Sequence, residues 1–132
     1  MEKFVTPELT EKLKEKGFPV VEYIDGKFGL TEKVIKYKPP HIYDVILWLE
    51  EEKQIFLEVY PKWFIFHSHP LATKKIKWCY EIYTLTEPYY KETDYGEELV
   101  LKHLVYSFRN IHETWEEAAL AGIEDILNHN LI

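Results

Sequence analysis

Ile55-Phe56-Leu57-Glu58-Val59-Tyr60-Pro61-Lys62-Trp63-Phe64-Ile65-Phe66-His67-Ser68-His69 is the stretch whose reading decides the fold. Its opening alternates: in an extended chain Ile55, Leu57 and Val59 fall on one face, and Phe56, Glu58 and Tyr60 on the other. Pro61-Lys62 then reads as a tight connection. The following segment, Trp63 to His69, is aromatic or apolar on both faces at first, the pattern of a central strand. Across a loop containing Pro70, the segment Ile76 to Leu85 supplies a third strand. Connections this short favour antiparallel neighbours, so the spacing predicts a meander.

Upstream, Thr6-Pro7-Glu8 is a helix start. The threonine oxygen can accept a backbone N–H, proline at the first helical position lacks a donor that would have no partner anyway, and glutamate meets the positive end of the dipole. Leu9 and Leu13 share a face, and Gly17 is the matching stop. Val20 to Ile24 is β-prone and is followed by Asp25-Gly26, a hairpin dipeptide, which predicts Lys27 to Leu30 as the returning strand. Val34, Ile35 and Tyr37 give a further short strand. After Pro39-Pro40, the residues Ile42, Val45, Ile46 and Leu49 form an apolar stripe at helical spacing. Glu50-Glu51-Glu52 follows it, and negative charge at a helix C-terminus predicts an end near Glu51.

Downstream, Thr86 to Tyr95 carries turn residues and tyrosines and reads as a loop. Leu101, Leu104, Val105 and Phe108 match helical spacing, although Leu99 to Tyr106 also has strand composition, and the periodicity favours a helix over 97–108. Thr114-Trp115-Glu116-Glu117 is a capping box, with Thr114 as cap and Glu117 reaching back to the Thr114 amide. The helix it opens runs through Asn128. Ala119, Ile123, Ile126 and Leu127 pack from it, while Ala118, Ala121 and Gly122 permit a close approach. The sum is one α+β domain over residues 1–132, an antiparallel meander sheet of about four to five strands packed by three to four helices.

These landmarks, Thr6 through Phe18, Pro40 opening a helix that ends Leu47-Trp48-Leu49, the aromatic strands, and Thr114-Trp115-Glu116-Glu117-Ala118-Ala119 with Gly122-Ile123, resemble a group of small uncharacterised proteins. Those proteins are encoded by phages and integrated mobile elements of gut anaerobic bacteria. The resemblance rests on caps and core positions, so it implies a shared fold and an accessory role in a mobile element, and no particular chemistry.

Composition narrows the function classes. At 132 residues with 46% hydrophobic and 16% aromatic content the chain is far from the disordered class. A net charge of -7 discourages contact with phosphate backbones. The segment Lys74-Lys75-Ile76-Lys77 is the local exception, and lysines at a strand edge serve to prevent edge pairing. Cys79 is the single cysteine, which excludes an intramolecular disulfide and multi-cysteine zinc sites. No leader-like pattern follows Met1 and no apolar run is long enough to span a bilayer, so the expected location is cytoplasmic.

Two constellations can carry chemistry. His67 and His69 project to the same side of a strand about 7 Å apart at Cα and can share a divalent metal, with Glu81, Cys79, His41 or His103 as third ligand. Strand alternation places Lys77, Cys79, Glu81 and Tyr83 on one face, where a Cys79 thiolate beside a histidine would be a nucleophile. A mid-strand cysteine flanked by Trp78 and Tyr80 is more often an inert small hydrophobe. The glutamate clusters lie at helix ends and surface turns, and no Gly-rich phosphate cradle or serine elbow is present.

Tyrosines dominate the aromatic set, and Tyr80, Tyr83, Tyr89, Tyr90 and Tyr95 gather around the 86–95 segment as candidate partner-binding residues. Tyrosine gives large stiff contact area with a polar tip. The expected function is therefore a non-enzymatic accessory protein that binds another protein through an acidic surface and this patch, with a homodimer as one form of that contact. No cofactor is expected. The alternatives are a metal-binding domain or metal-dependent enzyme at His67 and His69, and an acidic mimic of nucleic acid.

Overall fold

The computed structural model describes residues 3–25, 34–68, 71–107 and 111–132. In chain order the elements are α1 (Pro7–Glu15), β1 (Val21–Asp25), β2 (Val34–Lys38), α2 (Ile42–Trp48), a π-helical turn (Leu49–Lys53), β3 (Ile55–Ser68), β4 (Leu71–Thr93), β5 (Gly96–Ser107) and α3 (Trp115–Asn128). The α+β class holds, but the single sheet expected from sequence is two: an antiparallel β1–β2 ribbon and an antiparallel β3–β4–β5 meander.

Local chemistry sets the helix ends. Thr6 Oγ1 accepts from the Leu9 amide at 3.3 Å. At the other end of α1, Gly17 takes φ 97°. That left-handed residue lets the Gly17 amide reach the Lys14 carbonyl and the Phe18 amide reach the Leu13 carbonyl, both at 3.0 Å. The paired bonds are the Schellman arrangement, and Leu13 and Phe18, which they bring together, are both buried. α3 ends in the same way, with Asn130 at φ 51° and the Leu131 amide on the Ile126 carbonyl at 3.1 Å. It begins with Thr114 Oγ1 accepting from the Glu117 amide at 3.2 Å. The Glu117 carboxylate reaches one residue further back than the capping box predicts, to the Glu113 amide at 3.1 Å.

α2 is capped by His41, whose Nδ1 accepts from the Tyr43 amide at 3.2 Å. The helix does not stop near Glu51. It widens into the π turn through Lys53, and Gln54 at φ 56° closes it onto the Leu49 carbonyl. Leu49 thereby stays on the buried stripe with Ile42 and Val45.

The register bears on four expectations. First, β1 pairs with β2, Asp25 opposite Val34; the expected returning strand 27–30 and the Gly26 turn lie outside the described residues. Second, Pro61-Lys62 is no turn: β3 runs straight through it, with Pro61 opposite Trp78 and Lys62 opposite Lys77. The Trp78 amide and carbonyl bond His112 at 2.8 and 2.9 Å. The Pro61–Trp78 pair is therefore the kind without mutual hydrogen bonds, and the Pro61 nitrogen faces the open edge, where a missing donor is harmless. Trp63–Ser68 accordingly belongs to an edge strand, and β4 is the central one.

Third, 86–93 is no loop but the far end of β4. Fourth, 97–107 is strand and not helix, paired to β4 from Thr93 opposite Gly96 to Glu81 opposite Ser107. The turn between them is Asp94-Tyr95, and neither residue takes positive φ; Gly96 does, at 123°. A glycine after the turn supplies the reversal that a mirror-image turn would otherwise give. Register shifts at Ile82/Tyr83 and Leu85/Tyr89 bend the pair.

The core lies between the middle of the meander and the helices. Leu57, Tyr80 and Ile82 face α3, which also meets α1 and α2. The face assignment from alternation holds: Ile55 and Leu57 are buried and Val59 packs on them, while Glu58 is exposed. Gly122 is where α3 and the sheet come closest. A Cβ there would overlap Leu57 Cδ1 and stand 3.1 Å from Leu57 Cδ2.

Candidate functional site

Alternation along β4 sends its side chains to two environments. Tyr80 points under α3, is 4% exposed and donates its hydroxyl hydrogen bond to Asp125. It belongs to the core and not to any contact surface. Tyr83 points to the opposite face and donates to Glu81, whose other oxygen accepts from Tyr60 at 2.8 Å. Tyr89, Tyr90 and Tyr95 lie beyond both, on the exposed outer half of the β4–β5 hairpin. The five candidate tyrosines thus occupy three places.

The Tyr60–Glu81–Tyr83 cluster was not visible in sequence, because it needs the pairing of Tyr60 with Cys79 and of Phe56 with Tyr83. Both carboxylate oxygens of Glu81 are engaged by phenols. The hydrogen bond to Glu81, with burial second, pushes Tyr83 up to about 12. Burial and then the same carboxylate push Tyr60 up as well. Cys79 is fully buried beside them, and burial raises its thiol, so it is held away from the thiolate form.

Lys77, though 8% exposed, pairs with Glu113, and the ammonium holds that carboxyl below its usual range. On α1, Lys14 lies 2.6 Å from Glu22 and its pKa is raised by that bond and by Tyr37. Every resolved shift among the described residues moves away from neutrality.

His67 sits in β3 opposite Ala72, but its side chain, all of His69 and the His103 side chain lie outside the described residues. Of the other proposed ligands, His41 caps α2 and stacks on Tyr43 at 5.3 Å, which in turn stacks on Trp115. Among the described residues no group of three His, Cys, Asp or Glu is placed to hold a metal.

What the meander does present is apolar surface at both ends. On the β3–β4 side, Trp63, Ile65 and Ile76 are exposed, Trp63 by 65%. Trp63 is opposite Ile76, and Ile65 opposite Lys74, so all four share one face, where Trp63, Ile65 and Lys74 line an open depression of about 530 Å³. On the β4–β5 side Leu85, Tyr89, Tyr90, Leu99, Leu104 and Val105 are exposed, Tyr90 by 69%. The sequence signal for the first group was present in Trp63 and Ile65, and was assigned to a central strand instead.

No described helix is long and apolar enough to cross a membrane. Comparison with protein-family models, curated proteins and solved structures finds no match.

Proposed function

We propose that this chain is a non-enzymatic binding protein whose working surface is the outer β4–β5 hairpin, acting as an accessory protein of a phage or mobile element. One observation carries the reading: Tyr90 and Leu99, directly opposite each other, stand exposed on one face of a hairpin that extends past the helix layer, with Tyr89 exposed on the other face and Tyr95 at its turn. Exposed aromatics grouped on a stiff element, rimmed by charge, are the composition of protein contact surfaces.

The test uses the tagged chain as bait in nuclease-treated lysate of its bacterial host, beside a Tyr89→Ser/Tyr90→Ser variant. The expected result is a stoichiometric protein retained by the parent chain and lost by the variant, with both chains giving the same far-UV circular dichroism. Equal retention by the two would place the contact elsewhere.

A further inference from the structure

We infer that two copies of this chain associate side by side in an antiparallel two-fold arrangement, the β3–β4 arm of each lying on the β4–β5 arm of the other. The inference names the partner of the hairpin surface and so rests on reading that hairpin as a contact site. Its ground is the distribution of charge along one sheet. Residues 62–77 contain Lys62, Lys74, Lys75 and Lys77 and no carboxylate. Residues 85–104 contain Glu87, Glu92, Asp94, Glu97 and Glu98 against Lys91 and Lys102. The two arms lie at opposite ends of β4, whose 23 residues have a contour on the order of 70 Å. The molecule is thus positive at one end and negative at the other.

The register adds a second observation. Glu92 is directly opposite Glu97 in the acidic arm, and Lys62 is directly opposite Lys77 in the basic one. Like charges facing each other across a ladder repel. Lys77 is neutralised within the chain by Glu113, and Glu98 stands opposite Lys91, but Lys74, Lys75, Glu92 and Glu97 form no ion pair among the described residues. Each arm therefore keeps an excess charge that the other arm of a second copy complements.

Both arms also expose apolar side chains that such a contact covers, Trp63, Ile65 and Ile76 on one and the directly opposed Tyr90 and Leu99 on the other. A parallel pairing would set like against like. The antiparallel one makes both contacts complementary and closes on itself, the commonest symmetry of soluble oligomers. The net charge of -7 opposes association at long range, but beyond about 10 Å it is screened at ordinary ionic strength.

Sedimentation velocity on the whole chain decides the matter. The parent chain is expected to be a dimer in about 0.1 M salt. Its self-association should weaken at least about tenfold in about 1 M salt, where the Debye length falls to about 3 Å. Lys74→Glu/Lys75→Glu leaves residues 62–77 with two lysines against two glutamates and so without a positive end, and Glu97→Lys/Glu98→Lys leaves residues 85–104 with four lysines against three carboxylates and so without a negative end. Each variant alone should be monomeric, and a one-to-one mixture should restore a dimer, which also shows that both are folded. A parent chain that stays monomeric at about 1 mM (weaker than about -4 kcal/mol), variants that still dimerise alone, or a mixture that stays monomeric would each overturn the inference. If the chain is monomeric while Tyr89→Ser/Tyr90→Ser still loses a foreign protein, the pairing fails and the hairpin reading stands. If neither effect is seen, both fall.

Discussion

The middle of the meander and its two ends are built from the same three strands, yet they behave as different materials. Between Ile55 and Val59 on β3, and from Tyr80 to Ile82 on β4, one face is sealed by α3 and alternation is strict. Toward Trp63 and toward Tyr90 the same ladder continues with large apolar groups in water. The cause is a mismatch of length. The 14 residues of α3 make a rod of about 21 Å, while β4 runs on the order of 70 Å, so the helix layer covers only the centre. What continues past the cover is framework without a core.

Truncating one isoleucine in each region sharpens the contrast most. Ile82 is 0% exposed and Ile76 is 46% exposed. In about 1 M salt, where the copies are separated, Ile82→Ala is expected to lower stability by about 2–5 kcal/mol in urea denaturation, and Ile76→Ala by no more than about 0.5 kcal/mol. Equal losses would mean that the arm is packed as tightly as the centre. Next in size is Gly122→Val, which forces a branched side chain onto Leu57 at the closest approach of α3 to the sheet. It is expected to cost about 1–3 kcal/mol by the same measurement.

The smallest effect lies on the uncovered face of the middle, where Glu81 holds two phenols. An unfolded tyrosine ionises near 10, whereas Tyr83 is pushed up to about 12 in the fold. The folded state therefore favours the neutral phenol. That contribution is complete below pH 10 and disappears as the pH rises through 12. Stepwise urea titrations across this window should show stability falling with pH, with a shallower fall in Tyr83→Phe. The remaining slope belongs to Tyr60, whose pKa is raised in the same direction.

How much of this was legible in the sequence follows from the same division. The ends of α1 and the start of α3 were readable because a cap is a contact over three or four residues, as Thr6 with Leu9 and Thr114 with Glu117 show. The faces of 55–60 were readable because a core enforces period two. Past Tyr60 nothing enforces it. Pro61 reads as a turn in sequence because a proline says nothing about which edge of a strand its nitrogen faces, and that depends on Trp78 bonding His112 instead.

The helix reading of 97–108 failed for a related reason. Leu101, Leu104 and Val105 match helical spacing by accident in a strand that, among its described side chains, has none buried to select against the match. The candidate tyrosines divided because sequence proximity cannot tell Tyr80, one step out of phase with Tyr83, from its neighbour on the other side of the sheet. The Glu81 cluster could not be assembled before Tyr60 was known to lie beside β4.

The proline inside β3 also bears on what the chain does when it is crowded or partly unfolded. Trp63-Phe64-Ile65-Phe66 is an uncharged aromatic and aliphatic run of the kind that stacks into cross-β fibrils, and it lies on a free edge of 14 residues. Fibril growth needs an unbroken row of donors and acceptors for the incoming strand. Pro61 removes one donor midway along that row, and Lys62 adds a charge that every stacked copy would repeat at the same height. The edge is thereby cut into two short lengths, neither of which offers an added layer a full ladder.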